Sequence, residues 1–297
     1  MSAKHPVIAV TGSSGAGTTT VKRAFEHIFY REKINPLIIE GDSYHTFDRA
    51  SMKLQMSAEE SQGNKHFSHF GENANEFGKL EETFKSYATN GKCQRRYYLH
   101  SDEEAVEHNA RLSTDLTPGQ FTPWEDINEK TDLLFYEGLH GLVRTENCDV
   151  AQHVDLGVGV VPIVNLEWIQ KIHRDAAERG YSADVIVDTI LRRMPDYVHY
   201  ITPQFSRTDV NFQRVSTVDT SNPFIARDIP TPDESFIVIR FRDPKKFGVD
   251  FPHLLNMIND SFMSRPNTIV VPGGKMGFAM EQILGPKIEA MLETKRG

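Results

Sequence analysis

Hydrophobic positions along the chain fall into short β-branched runs and longer stretches with helical spacing. Residues 7–10 form a continuous apolar run that ends in a glycine-rich turn, as a buried parallel strand does. Apolar residues at helical spacing then predict a helix over about residues 18–31, and residues 37–39 predict a second strand. Strand, glycine loop, helix and strand form one βαβ unit, which predicts a parallel sheet with helices on its faces.

The same alternation resumes after a polar interruption. Residues 45–130 are polar and irregular, with one predicted helix over about residues 76–88. A helical region begins at Leu166 and is broken near Gly180 and again at Pro195. Further strands are predicted at residues 133–136, 154–165, 235–243 and 267–271, and an amphipathic helix from about Met276 ends the chain.

These elements predict an α/β fold, a mostly parallel sheet flanked by helices, with an inserted polar and helical segment over about residues 45–130. The length of 297 residues suits one domain over residues 1–297. Hydrophobic residues make up 39% and charged residues 25%, the balance of a globular protein.

Charge and cysteine content narrow the function classes. The net charge of −8 argues against a nucleic-acid partner, which needs a basic face. Cys93 and Cys148 are the only cysteines, and reduced thiols are expected for such a pair. No apolar run approaches the roughly 20 residues of a membrane span. We therefore expect a cytoplasmic protein with no membrane partner.

The glycine loop after the first strand resembles a phosphate-binding loop without its lysine. Gly12 and Gly17 have the spacing of G-x-x-x-x-G-K-[ST], but Thr18 occupies the lysine position. Backbone N–H groups and the helix N-terminus can still bind a phosphate, and Thr19 can place its hydroxyl on Mg²⁺. The alternative is a glycine turn that merely joins strand and helix. The predicted nucleotide-binding residues are Gly12, Ser13, Ser14, Gly15, Ala16, Gly17, Thr18, Thr19 and Thr20.

A charged helix is the candidate replacement for the missing cation. Lys171, Asp175 and Arg179 are spaced i, i+4 and i+8, so they share one helical face, and Arg174 lies beside them. Phosphoryl transfer relies on positioning and electrostatics, so a cation from another segment can serve. The pattern alone favours the alternative, a solvated charged face.

Two carboxylates end predicted strands at the edge where open parallel sheets bind ligands. Asp42 follows the second strand and suits a base for a hydroxyl acceptor, whereas Glu137 ends the third strand and suits Mg²⁺. A helix N-cap and a turn carboxylate are the respective alternatives. Basic and aromatic residues that could bind a substrate phosphate follow nearby, namely His45, Arg49, Tyr98 and His100. The pair His66 and His69 lacks further metal ligands and is not assigned a site.

The motifs together resemble the bacterial form of phosphoribulokinase. The segments "GSSGAGTTTV", "IEGDSYHTFDRA", "LLFYEGLHG", "NLEWIQKIHRD", "TILRRMPDYVHYI", "DTSNPFIARDIP" and "VIRFRDP" carry the resemblance, which covers essentially the whole chain. It implies a P-loop kinase-type fold and phosphorylation of the O1 hydroxyl of D-ribulose 5-phosphate by ATP with Mg²⁺, in the Calvin cycle. The bacterial form resembles this chain in carrying Gly-Thr where other P-loop kinases carry Gly-Lys.

The resemblance also implies roles for particular residues. Asp42 corresponds to the catalytic base, His45 and Arg49 to sugar-phosphate contacts, and Glu137 to a Walker-B-type carboxylate. Lys171, Arg174, Asp175 and Arg179 correspond to a basic helix that closes over the phosphates, which reverses the interpretation of that helix as a solvated face.

Regulation and assembly are expected by the same resemblance. The bacterial form is similar to an allosteric homo-oligomer, typically octameric, activated by NADH and inhibited by AMP. Arg31 and Arg240 are the candidate effector residues, while thioredoxin switching is not expected because the loop lacks a cysteine. Two alternatives stay open: a uridine- or pantothenate-type kinase, and a nucleotide-binding regulator without turnover.

Overall fold

The computed structural model describes residues 4–12, 18–161 and 163–296, without the side chains at 18, 19, 178, 179 and 294–296. The strands are β1 (Val7–Gly12), β2 (Pro36–Glu40), β3 (Cys93–Arg95), β4 (Glu125–Ile127), β5 (Leu133–Gly138), β6 (Leu156–Val161), β7 (Val210–Ser216), β8 (Ser235–Phe241), β9 (Phe262–Arg265) and β10 (Thr268–Pro272). The helices are α1 (Thr18–Arg31), α2 (Arg49–Ser61), α3 (Phe77–Asn90), α4 (Asp102–Leu112), α5 (Val164–Arg179), α6 (Ala183–Asp196), α7 (Pro244–Phe247), α8 (Phe251–Met257) and α9 (Met276–Arg296).

Eight strands form one mixed sheet in the order β2-β5-β1-β6-β7-β8-β10-β9. The first five are mutually parallel, and the remaining neighbours pair antiparallel. β1 lies between β5 and β6, so the sheet has its topological switch point beside the carboxyl end of β1. The predicted α/β fold, a mostly parallel sheet flanked by helices, is confirmed.

Helices cover the sheet on both faces. One face packs its β-branched and aromatic residues against α1, α8 and α9, with Ile8, Phe25 and Ile239 fully buried. The other face packs against α3, where Phe84 and Tyr136 are fully buried and in edge contact. The alternation of side chains along β1 divides its residues between these two cores.

The polar segment between β2 and β5 differs from its description in the sequence analysis. It was expected to be irregular apart from one helix, but it contains α2, α3 and α4 and a two-stranded sheet of β3 and β4. Asp48 and Ser51 mark the start of α2, because the Asp48 carboxylate accepts a hydrogen bond from Ser51 N at 2.7 Å. Ser101 caps α4 in the same way, at 3.3 Å from Glu104 N. Both cap residues are typical of helix starts, but the helices that follow them have a weak apolar pattern and were therefore not predicted.

The later elements follow the predicted order, with shifted boundaries. The strand expected over residues 154–165 ends at Val161, and α5 begins at Val164 rather than Leu166. Gly180 ends α5 with φ 65°, a left-handed conformation that glycine adopts at low cost. Strand β7 was not predicted. No helix among the described residues is both long and apolar enough to cross a bilayer. Cys93 and Cys148 are buried free thiols.

Candidate active site

The carboxyl ends of β1, β2 and β5 form one edge of the sheet, and a cleft of about 770 Å³ opens over it. Glu40 and Glu137 are direct neighbours in the β2–β5 register. Asp42 follows in a short 3₁₀ helix over Gly41–Tyr44. The structure therefore brings the two predicted carboxylates, Asp42 and Glu137, to the same cleft.

Two glycines allow the backbones that leave β2 and β5 to approach each other closely. A Cβ on Gly41 would lie 2.8 Å from Gly138 Cα, and a Cβ on Gly138 would lie 2.6 Å from Gly41 Cα. Both would also meet the Tyr136 hydroxyl at 2.6 Å. The backbones leaving β2 and β5 therefore touch, and glycine in "EGD" and "EGL" is required by close approach.

The Asp42 carboxylate lies between two histidines. His45 Nε2 is 3.4 Å from Asp42 Oδ1, and His100 Nε2 is 3.7 Å from Asp42 Oδ2. Burial opposes ionisation of Asp42, but the hydrogen bond and charge of His45, helped by His100, lower its pKa to about 2. Asp42 is therefore an ionised acceptor throughout the physiological pH range.

The orientation of His45 is fixed from behind. Its Nδ1 lies 2.8 Å from Asn75 Oδ1, and the Asn75 amide nitrogen donates to the carbonyls of His69 and Gly71 at 2.8 and 2.7 Å. Because the Asn75 nitrogen is committed to carbonyls, its oxygen accepts from His45 Nδ1–H. His45 Nε2 can then donate to Asp42 only when the ring carries both protons.

Glu137 and Glu40 lie side by side in a desolvated position. Burial raises the pKa of Glu137 to about 7; Lys22 opposes the shift, and Glu40 and Asp42 add to it. Burial also raises the pKa of Glu40. Two adjacent carboxylates with raised pKa values favour a cation at this edge, in addition to Lys22.

Helix α5 forms the opposite wall of the cleft. The Asp175 carboxylate is buried, pairs with Lys171 Nζ, and accepts from Arg174 Nε and Nη2 at 3.2 and 3.1 Å. Burial lowers the pKa of Lys171, as does nearby Arg193, while Asp175 opposes the shift. Lys171 and Arg174 line the cleft, whereas Asp175 lies behind them. The side chain of Arg179 lies outside the described residues.

The remaining predicted acceptor residues also line the cleft. Arg49 is the first residue of α2, and its backbone N–H donates to Gly119 O at 2.9 Å. Tyr98 packs its ring against Phe121 and His100, with centroids 5.3 and 4.9 Å away. Arg49, Tyr98 and His100 thus face the same space as Asp42.

The predicted phosphate loop is described only at its two ends. Ser13, Ser14, Gly15, Ala16 and Gly17 lie outside the described residues, as do the side chains of Thr18 and Thr19. Gly12 ends β1 and lines the cleft, and a Cβ there would lie 2.6 Å from Val160 O. Thr20 lies in the first turn of α1. The loop therefore has the strand-before, helix-after setting that a phosphate loop requires.

The two candidate effector residues lie on opposite faces of the sheet. Arg31 ends α1, which packs against α9, and its Nη1 is 3.8 Å from Glu281 Oε2. Arg240 alternates on β8 with Ile239, which faces the α9 side, and donates to Phe205 O at 3.3 Å. The two arginines therefore lie on different surfaces of the chain.

Several residues that line the cleft were not among those predicted from the sequence. Glu40 stands at a strand end, as Asp42 and Glu137 nearly do, so the same reasoning could have found it. His69 had been considered only as a metal ligand; among the described residues no group of three or more acidic, histidine or cysteine side chains could hold a metal. Burial, with nearby His45 and Arg193, lowers the pKa of His69 to about 3, so its ring is neutral. The missed lining residues include Lys22, Glu40, Lys53, His69, Glu167 and Arg193.

The chain is similar in sequence to known phosphoribulokinases. Residues 7–221 match the family described as Phosphoribulokinase / Uridine kinase. The chromosomal phosphoribulokinase of Cupriavidus necator is 60% identical over 296 residues, which is 100% of this chain and 99% of that protein. The phosphoribulokinase of Xanthobacter flavus is 58% identical over 296 residues, with the same coverage of 100% and 99%.

A solved structure gives the same answer for the fold. The phosphoribulokinase from Rhodobacter spheroides superposes with a TM-score of 0.89 at 51% identity, covering 100% of both chains. This likeness confirms the P-loop kinase-type fold. The chain belongs to the phosphoribulokinase / uridine kinase family.

Proposed function

We propose that the protein transfers the γ-phosphoryl group of ATP to the O1 hydroxyl of D-ribulose 5-phosphate, forming ribulose 1,5-bisphosphate in the Calvin cycle. The observation that carries this proposal is identity of 56–60% over 98–99% of the length of curated phosphoribulokinases from several bacteria. The cleft supports it, because an ionised carboxylate and an array of cations face one another across it.

The acceptor side of the proposed reaction centres on Asp42. Its carboxylate accepts the proton of the O1 hydroxyl as that oxygen bonds to the γ-phosphorus and the bond from phosphorus to the ADP oxygen breaks. His45 and His100 lie on either side of this carboxylate, with Nε2 atoms 3.4 and 3.7 Å from its two oxygens. With a pKa of about 2, Asp42 is a weak base in the free protein, which suits a reaction whose proton transfer comes late.

Arg49 and the helix wall supply the phosphate contacts in this proposal. The Arg49 guanidinium lines the cleft at the N-terminus of α2, next to the acceptor site, and is assigned the 5-phosphate together with Tyr98. Lys171 and Arg174 are assigned the transferred phosphoryl group, and Asp175 acts by positioning both cations. Arg179 and the phosphate-loop residues keep the roles that the sequence predicts.

The donor set at the strand ends fits a magnesium ion. Glu137 and Glu40 offer hard oxygen ligands, and because burial raises the pKa of both, a cation beside them would stabilise their ionised forms. Mg²⁺ commonly binds through one or two carboxylates and the substrate phosphates, so a cluster of three protein ligands is not needed. When bound, Mg²⁺ neutralises charge on the β- and γ-phosphates. Glu137 and Thr19 would hold it directly or through water.

ADP release with one acceptor at a time tests the proposed function. Purified protein with Mg-ATP is given ribulose 5-phosphate, uridine, pantothenate or no acceptor. Release only with ribulose 5-phosphate is the expected result. Release with uridine or pantothenate would assign the fold to another acceptor, and ATP binding without any release would favour a non-catalytic regulator.

We propose the finer properties on the resemblance alone. The protein forms a homo-oligomer, octameric as is typical of the bacterial form, and resides in the cytoplasm. NADH activates it and AMP inhibits it through Arg31 and Arg240, contributed by different chains of the oligomer. Light scattering measures the assembly, and ADP release with and without each nucleotide measures the response. A monomer insensitive to both nucleotides would contradict this set of proposals.

A further inference from the structure

Arg96 holds the segment that carries Asp42 without facing the cleft. Its Nε donates to Ser43 O and its Nη2 donates to His45 O, each at 2.7 Å. Nη2 also lies 3.1 Å from Glu76 Oε1. The planar fork thus bonds two backbone carbonyls on the chain immediately after the proposed base.

Aromatic rings hold the guanidinium itself. Its central carbon lies 4.0 Å from the Phe121 ring centroid and 4.7 Å from that of Trp124. The Arg96 side chain is only 11% exposed. Arg96 directly follows β3, and Trp124 directly precedes β4, so the small sheet presents the arginine and its ring from adjacent strands. The inserted segment therefore builds a rigid support for Arg96.

Further backbone bonds join the same segment to the insertion. Glu76 N donates to Tyr44 O at 2.8 Å, and Thr46 N donates to Ala74 O at 3.0 Å. Together with the two bonds from Arg96, they join residues 43, 44, 45 and 46 to the insertion. Asp42 directly precedes Ser43, whose carbonyl is the first that Arg96 bonds. A shift of Ser43 would therefore move the Asp42 carboxylate.

We infer that Arg96 is a positioning residue for the transfer reaction: its clamp on the carbonyls of Ser43 and His45 sets the place of the Asp42 carboxylate and the His45 ring. This inference rests on the proposed function for its kinetic consequence. Its structural consequence, a rigid Asp42 segment, holds whatever the acceptor is.

Three variants test the clamp. In Arg96→Lys the charge remains, but one ammonium cannot reproduce the planar fork, so kcat should fall about 10²-fold, as expected for a misplaced catalytic group. The KM for ATP should change by less than about 2-fold, because Arg96 does not line the nucleotide side. In Arg96→Ala, added methylguanidinium should raise kcat severalfold, whereas methylammonium at the same concentration should not. Arg111→Lys is the matched control, since Arg111 makes an exposed two-point pair with Glu125 on the same insertion.

Amide hydrogen exchange provides a readout that is independent of turnover. Amides of residues 42–46 should exchange faster in Arg96→Lys than in the wild type or in Arg111→Lys. Near-wild-type kcat with unchanged exchange would overturn the inference. A loss of kcat that only follows the unfolded fraction, with no guanidinium rescue, would also overturn it. If the wild type fails to phosphorylate ribulose 5-phosphate, the proposed function fails, and the exchange comparison still decides the role of Arg96.

Discussion

The two walls of the cleft satisfy their charges in different ways. On the sheet-edge wall, Asp42 is ionised between His45 and His100, and the neutral Asn75 side chain fixes His45 from behind. On the helix wall, Lys171 and Arg174 both pair with Asp175, whose carboxylate is buried behind them.

The difference indicates how each wall would respond to a bound substrate. Burial and the nearby Arg193 lower the pKa of Lys171, so a negative group beside this lysine would favour its charged form. A bound phosphate would be such a negative group. Changes on the sheet-edge wall should therefore act on the chemical step, and changes on the helix wall should act on phosphate binding and on stability.

The largest expected effect comes from the sheet-edge wall. Asp42→Asn removes the proposed proton acceptor while keeping its shape, so kcat should fall by about 10²- to 10⁴-fold with the affinity for ATP largely kept. Steady-state ADP release and equilibrium ATP binding measure the two quantities. Asp102→Asn, in the exposed first turn of α4, is the matched control. Turnover near that of the wild type would remove Asp42 from the mechanism.

Asp175→Asn tests whether a change on the helix wall lowers stability, unlike a change on the sheet-edge wall. Its carboxylate is 3% exposed, and removing one partner of a buried ion pair costs about 3–5 kcal/mol. We expect a lower melting temperature together with a kcat reduced about 10-fold or more, because Lys171 and Arg174 lose their shared support. Glu125→Gln, which breaks an exposed pair, should cost less than about 1 kcal/mol. A large loss of kcat at unchanged stability would instead make Asp175 a direct participant.

Arg49→Ala tests whether binding of the sugar phosphate can be separated from the chemical step at Asp42. Hydrogen bonds to charged groups contribute about 1.5–3 kcal/mol, so the KM for the sugar phosphate should rise about 10- to 100-fold. The value of kcat should change much less. Lys65→Ala removes an exposed cation outside the cleft and should leave the KM unaltered. An unchanged KM in Arg49→Ala would place the 5-phosphate elsewhere.

Sequence reasoning predicted the parts that depend on local pattern. The βαβ unit around the glycine loop was predicted because its strands are continuous apolar runs and its helix is amphipathic. The location of Asp42 and Glu137 at one edge followed because carboxyl ends of neighbouring parallel strands must meet there. Strand β7 escaped prediction, since "VNFQRVS" mixes polar and apolar residues and only its first three are buried.

The parts that sequence reasoning missed depend on long-range contacts. Arg96 and Ser43 are 53 residues apart along the chain, and no local pattern indicates that one clamps the other. Asp175 behaves differently from Lys171 because it is buried, although both occupy the same predicted helical face. Periodicity assigns residues to a face, but packing decides which member of that face meets solvent.

The smallest expected effect concerns the protonation of Glu137. Its pKa of about 7 lies above the ordinary 4.5, so the folded protein binds a proton that the unfolded chain releases between those two pH values. The free energy of unfolding therefore falls as pH rises from about 4.5 to about 7, and that stabilisation is absent at pH 8. Glu137→Gln removes this penalty, so its melting temperature relative to wild type, without Mg²⁺, should be about 2–4 °C higher at pH 8 than at pH 5.

Variants of the charged residues near Glu137 provide further tests of this prediction. The charged groups that face Glu137 are Lys22, Glu40, Asp42 and Glu26. Glu40→Gln should shift the melting temperature in the same direction, because burial raises the pKa of Glu40 too. Glu26→Gln, on the exposed side of α1, should shift the melting temperature least of the three variants. A difference between Glu137→Gln and wild type that does not vary with pH would mean that Glu137 is ionised in the folded protein at pH 5. The part of the argument for Mg²⁺ at the strand ends that uses the raised pKa of Glu137 would then fail.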